Sequence, residues 1–264
     1  MGIRMADLLG GARDCLRYEP TEKRLRAYLA GELIADTDAG RLVWEPRRVV
    51  PTYAVPESAV LAQLQPASTA AEPGARPPRD PTAVVAAHGC AGEVLDVTAA
   101  GARRPAAAFR PHDPDLAGYV VLDFGAFDWR EEDEPVVAHP HDPFTRIDVL
   151  ASSRHVRIEL DGRLLAESSR PMLLLETLLP VRFYLPRADV AVELEPSDTV
   201  TYCAYKGRAS YYSVPGGPAD LAWSYPEPLH DAEPVRDRIA FFDERVDVIV
   251  DGERRRRPVT AWSG

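Results

Sequence analysis

The chain has 264 residues, a formal net charge of -10 and a pI near 5.2, enough length for two domains that each bury a core of their own. An acidic surface repels phosphate backbones and anionic lipid, so neither nucleic acid nor a membrane is expected as a partner. No apolar stretch approaches the ~20 residues of a membrane span, and residues 1–10 lack a signal-peptide run, which leads to the expectation of a cytoplasmic protein. Cys15, Cys90 and Cys203 are scattered without a C-x-x-C pair, which argues for reduced thiols, no disulfide framework and no structural metal. Two lysines, Lys23 and Lys206, stand beside 29 arginines and no asparagine at all, a usage typical of GC-rich genomes such as those of actinobacteria. Where such a genome keeps a lysine, the compact ammonium or its tunable proton is a reason.

In chain order, residues 6–18 hold the best helical period, and short runs of β pattern follow. Residues 24–66 can be laid on 155–196. R-A-Y-L-A-G-E-L-I-A-D-T from Arg26 matches R-I-E-L-D-G-R-L-L-A-E-S from Arg157, and Glu45 falls on Glu176 and Tyr53 on Tyr184. After a slip of one residue, Pro56 falls on Pro186, Val60 on Val190 and Pro66 on Pro196, the signature of an internal duplication. Each copy opens with alternating apolar and polar residues around a two-residue turn, Asp161-Gly162 in the second, which predicts a β-hairpin with a primed turn. Residues 67–81, rich in Ala, Pro and Arg, read as a loop insertion in the first copy. Residues 131–153 begin acidic and Pro-punctuated and read as the connector. Further strands are predicted at 172–176, 181–184, 190–194, 199–203, 208–214, 221–225, 238–242 and 246–250. The Arg254 to Arg257 run reads as a solvated edge. The organisation expected is therefore a degenerate N-terminal repeat (1–130), a connector (131–153) and an intact C-terminal repeat (154–264), mostly β, with few short helices.

Four blocks, one in the connector and three in the second copy, carry a resemblance: H-P-H-D-P-F-T-R-I-D-V-L from His139, P-S-D-T-V-T-Y-C-A-Y-K-G-R-A-S-Y-Y from Pro196, A-W-S-Y-P-E-P from Ala222 and F-F-D-E-R-V-D-V from Phe241. In this order they resemble the domain of unknown function 427 family. The resemblance implies two tandem β-tent-like domains, each with antiparallel sheets that meet at one edge and splay around a cavity. Better-known tents pin the apex with zinc and line the cavity with an aromatic cage, but the zinc cysteines are absent here. The family commonly has C-P-Y-K-G where this chain has Cys203-Ala204-Tyr205-Lys206-Gly207. In the first copy the Y-K-G-R-A-S-Y-Y block is represented by A-H-G-C-A-G-E-V, ending at Val94, so the functional surface is expected in the second.

Tyr202, Tyr205, Tyr211, Tyr212, Trp223 and Tyr225 crowd into under a tenth of the chain, a density that means recognition or a very aromatic core. Glu176 ends the apolar run M-L-L-L-E, where burial favours an acid or base role; the alternative is a structural pair with Arg182 or Lys206. Cys203 has no histidine nearby and reads as a small buried residue. No G-x-S-x-G, P-loop or dinucleotide fingerprint is present, and the nucleotidyltransferase label sometimes attached to the family lacks its Gly-Ser and paired aspartates. The expected function is binding of a small organic ligand, without metal or cofactor, in a cavity of the second copy lined by Arg182, Tyr184, Tyr205, Lys206, Tyr211, Trp223 and Tyr225. A cofactor-independent enzyme using Lys206 or Tyr211 with Glu176 is the alternative, and a packing scaffold is a third. Ligand identity and oligomeric state are not encoded in any motif.

Overall fold

The computed structural model describes residues 2–67, 88–99, 101–260 and 262–263. It divides into two units, residues 1–142 and 143–264, both mostly antiparallel β with few short helices. Apart from Ala67, the loop read at 67–81 lies outside the described residues. Among those residues no helix is long and apolar enough to cross a membrane, no three His, Cys, Asp or Glu cluster as metal ligands, and all three cysteines are free thiols.

In the N-terminal unit α1 (Met5–Gly11) precedes β1 (Arg17–Pro20), β2 (Leu25–Leu29), β3 (Glu32–Thr37), β4 (Arg41–Trp44), β5 (Thr52–Pro56), β6 (Gln63–Pro66), β7 (Gly92–Ala99), β8 (Ala102–Pro111), β9 (Tyr119–Leu122), β10 (Asp128–Glu131) and β11 (Glu134–Pro135). The helical period through residue 18 is not all helix: the Gly10-Gly11 pair ends α1, and Tyr18 is drawn into β1, opposite Val43. A long sheet runs β1-β4-β5-β9-β8-β7-β6, and a short one β11-β10-β2-β3. Leu25, Ala27, Ile34, Leu42, Tyr53, Val97 and Trp129 fill a core shared by the two.

The C-terminal unit contains β12 (Ile147–Ala151), β13 (Val156–Leu160), β14 (Arg163–Ser168), β15 (Met172–Glu176), β16 (Arg182–Tyr184), β17 (Glu195–Cys203), β18 (Gly207–Ser213), β19 (Ala222–Ser224), β20 (Ala240–Phe241), β21 (Asp247–Val250) and β22 (Glu253–Arg254). Residues 190–194 do not form a strand. After Pro186 the chain makes a 3-10 turn (Arg187–Asp189) and meets β14 through an isolated bridge from Val190 to Ala166 and a hydrogen bond from Ser168 Oγ to Asp189 Oδ2, not through a strand ladder. Leu185 and Ile239 exchange two backbone hydrogen bonds of 2.8 Å and thereby link β12-β15-β16 to β20-β19-β18-β17. The resulting strand order is that of the long N-terminal sheet, and β14-β13-β21-β22 likewise has the order of the short one.

The correspondence extends to single residues. Both opening hairpins turn on a left-handed pair, Ala30-Gly31 (φ 51° and 83°) and Asp161-Gly162 (φ 49° and 81°), which matches the twist of the flanking strands. Both carry a bulge two residues before the turn region, where Ala27 faces Ala35 but Tyr28 faces Leu33, and Ile158 faces Ala166 but Glu159 faces Leu164. The bridge from Ala35 to Val60 in one unit repeats that from Ala166 to Val190 in the other.

Candidate functional site

In the C-terminal unit the long sheet is buried on both sides, because successive side chains of one strand point to opposite faces. One face turns Phe183, Leu185, Ala222 and Phe241 onto β13, β14 and β21, where Val156, Ile158, Leu165 and Val248 complete an apolar core. The space between the two sheets is filled by this core. The other face presents Leu174, Tyr184, Ala209, Tyr211, Trp223, Tyr225 and Phe242, covered by Ala232 and Val235 of a 3-10 segment (His230–Val235). Of the aromatic residues singled out in the sequence, Tyr184, Tyr211, Trp223 and Tyr225 therefore lie on the face turned away from the inter-sheet core, whereas Tyr212 packs against that core and Tyr202 is exposed.

Their centre is an ion pair. Lys206, in the turn between β17 and β18, donates from Nζ to Glu176 Oε2 at the end of β15, with side chains only 10 % and 14 % exposed. Burial works against the ammonium, but Glu176, Cys203 and Tyr184 outweigh it and raise the Lys206 pKa, so the lysine stays charged. Tyr184 accepts a 3.0 Å hydrogen bond from Trp223 Nε1, and the two rings meet edge to face with centroids 6.1 Å apart. Burial raises the Tyr184 and Tyr225 hydroxyls well above the ordinary phenol value, so both remain neutral donors. Tyr225 is 5 % exposed, and its hydroxyl is not among the sealed, unpartnered polar atoms of the described residues. Tyr211 Oη lies 2.9 Å from Thr201 Oγ1, and Tyr205 is buried with the Arg146 guanidinium 5.9 Å from its ring centre.

Residues 148–252 match the family described as Domain of unknown function (DUF427). The C-terminal unit is a DUF427 domain. No curated protein matches the chain. The matched stretch contains every candidate residue named from the sequence, and the DUF427 domain gathers seven of them, Glu176, Tyr184, Tyr205, Lys206, Tyr211, Trp223 and Tyr225, around or beside the ion pair.

Arg182 is placed differently. Its guanidinium is taken up by Glu244 through bonds of 2.9 and 2.6 Å, with Asp243 at 3.5 Å and the Trp223 ring 5.7 Å away. Burial raises Asp243 to about 6 although Arg182 pulls the other way, while Arg182 and Thr260 hold Glu244 below the usual carboxylate range despite its own desolvation. Arg182 thus lies over the Trp223 ring with its guanidinium engaged by Glu244, and is not free to receive an anion. Sequence reasoning missed Asp243 and Glu244, although both stand in the F-F-D-E-R block; two adjacent acids after paired aromatics were the available signal. Phe242 was missed too, and it packs 4.6 Å from Trp223.

Chemically, the DUF427 domain offers one ammonium, one carboxylate, two neutral phenols and a thiol within mutual electrostatic reach, walled by rings. Two hollows lie elsewhere among the described residues: a cleft of about 580 Å³ along β21 and the Arg254 to Arg257 run, and a cavity of about 40 Å³ in the N-terminal unit.

Proposed function

We propose that the C-terminal unit binds a small organic ligand, an aromatic or otherwise flat carboxylate, at the Glu176–Lys206 centre. The observation that carries this reading is the buried ion pair itself. Two apolar side chains of similar size would pack there at no loss of stability, so a charged pair kept under Tyr184, Tyr205, Trp223 and Tyr225 is better accounted for by recognition than by folding. An arriving carboxylate takes the ammonium from Glu176, Tyr225 Oη supplies a further donor, and the ring of the ligand replaces protein contacts against Trp223. The fit is tight, so the ligand enters as the Lys206 side chain swings outward, at the edge where its side chain keeps 10 % exposure.

Benzoate is a suitable probe. It is expected to quench tryptophan fluorescence saturably, with the signal lost in Trp223→Phe and the affinity reduced at least about tenfold in Lys206→Met. Quenching that stays linear in benzoate, or that is the same in Lys206→Met, overturns the reading. The grouping of a carboxylate, an ammonium and neutral phenols also favours a second use of the same centre, proton transfer without a cofactor, with Glu176 as base and Lys206 or Tyr211 as acid. We further propose that the two units arose by duplication of one domain of tent-like type, supported by the matched bulges, turns and bridges, and that the protein works in the cytoplasm with reduced thiols.

A further inference from the structure

In the N-terminal unit, the position of Glu176 is taken by Glu45 and that of Lys206 by His88. An imidazole stands where the other unit has an ammonium: His88 Nδ1 lies 2.8 Å from Glu45 Oε1, and the backbone N–H of Gly89 donates to Oε2 at 2.6 Å. Burial opposes ionisation of Glu45, but these two donors prevail and hold its pKa below the ordinary value. A carboxylate accepting at both oxygens calls for the imidazole N–H on Nδ1, and in that tautomer the ring's lone pair is on Nε2. The ring is stacked on Phe109, centroids 3.7 Å apart and 5° from parallel, and Nε2 has no protein partner among the described residues, yet is not a sealed polar atom. Beside it is the cavity of about 40 Å³, floored by Ala108, Phe109 and Val121, which are 2 %, 2 % and 3 % exposed. That volume admits a fragment of a few heavy atoms. Cys90, two residues on, is no nucleophile for this histidine, because burial, Glu45 and Asp113 push its thiol up to about 12.

We propose that the N-terminal unit carries a second site, where His88 Nε2, oriented by Glu45 over the Phe109 ring, accepts a hydrogen bond from a small uncharged molecule bearing one N–H or O–H donor. An anion is disfavoured there by the Glu45 charge and a cation by Arg48, which also lines the cavity. The apolar part of the ligand rests on Ala108 and Val121. This site is independent of the one in the C-terminal unit.

Acetamide and acetone, equal in size but unequal in donors, make the test. In the full chain labelled with 15N-histidine, long-range proton–nitrogen correlation spectra should show the His88 proton on Nδ1. Acetamide should shift His88 Nε2 saturably and bind at least about tenfold tighter than acetone. The same titration in Lys206→Met should be unchanged. A proton found on Nε2, equal responses to the two probes, no saturable response to acetamide, or loss of the response in Lys206→Met each overturns the proposal. Because no arm alters His88, the test does not depend on whether a His88 variant folds.

Discussion

Removing one or both members of the Glu176–Lys206 pair separates stability from function. Lys206→Met leaves a carboxylate that is 14 % exposed without its counter-charge. Breaking a buried pair from one side costs about 3–5 kcal/mol, and the residual exposure places this case at the low end, about 3 kcal/mol. With an m-value of about 2 kcal/mol/M for a unit of this size, the urea midpoint should fall by about 1.5 M. Glu176→Leu should fall by a similar amount, because it strands the ammonium. The double variant Lys206→Met with Glu176→Leu removes both charges and keeps the volume, so it should return to within about 1 kcal/mol of the parent. Amide exchange of β18 and β19 in urea reports the C-terminal unit alone. A double variant as unstable as either single one would show that the pair holds the fold together, and the argument that it is retained for recognition would fail.

Asp243 should make stability depend on pH with an identifiable sign. Its carboxyl rises from 3.8 unfolded to about 6 folded, so its contribution is complete below pH 4 and lost as pH climbs through 6, about 3 kcal/mol in all. Glu244 has the opposite sign and acts below pH 4.5, so it overlaps only the lower end of that window. Stability curves of the parent and of Asp243→Asn should therefore converge or cross between pH 4 and 6; parallel curves there refute the assignment. Gly92→Ala should disrupt the N-terminal unit, because a Cβ would sit 2.3 Å from Phe109 Cζ and 2.5 Å from the Arg110 carbonyl oxygen. Overpacking of that kind costs about 3 kcal/mol and should lower the melting temperature by about 10 °C in calorimetry, and an unchanged transition would show that the Phe109 ring moves freely.

The hairpins were readable because their signals are local: Asp161-Gly162 adopts the turn that its residue types favour, and the alternation in V-R-I-E-L became alternating burial. The mostly β class followed from the same local pattern. The slip at 190–194 had a local cause too, since β-branched residues after Pro186 look like a strand until the 3-10 turn redirects them. The site was only partly readable. Tyr184, Trp223 and Tyr225 were found by composition, but which face they occupy depends on pairing between segments far apart in the chain, as when Leu185 meets Ile239. The contact of Arg182 with Glu244 spans 62 positions, and nothing in the spacing of either residue announces it. The Glu45 and His88 pair was within reach, since Glu45 aligns with Glu176 and A-H-G stands for Y-K-G. A histidine in place of a lysine reads as decay until the distance to the carboxylate is known.

Because β16, β18 and β19 are covered on both sides, alternate positions along a single strand answer to different demands. Phe183 and Ala222 are constrained by the partner sheet, whereas Tyr184 and Trp223, one step away, are constrained only by what gathers on the far side. Chemistry on that far side can drift by point substitution while the scaffold stays fixed. The inverse also holds: a single inserted residue within β19 would exchange Ala222 and Trp223 between the two faces, so length variation among related chains should fall between the strands rather than within them.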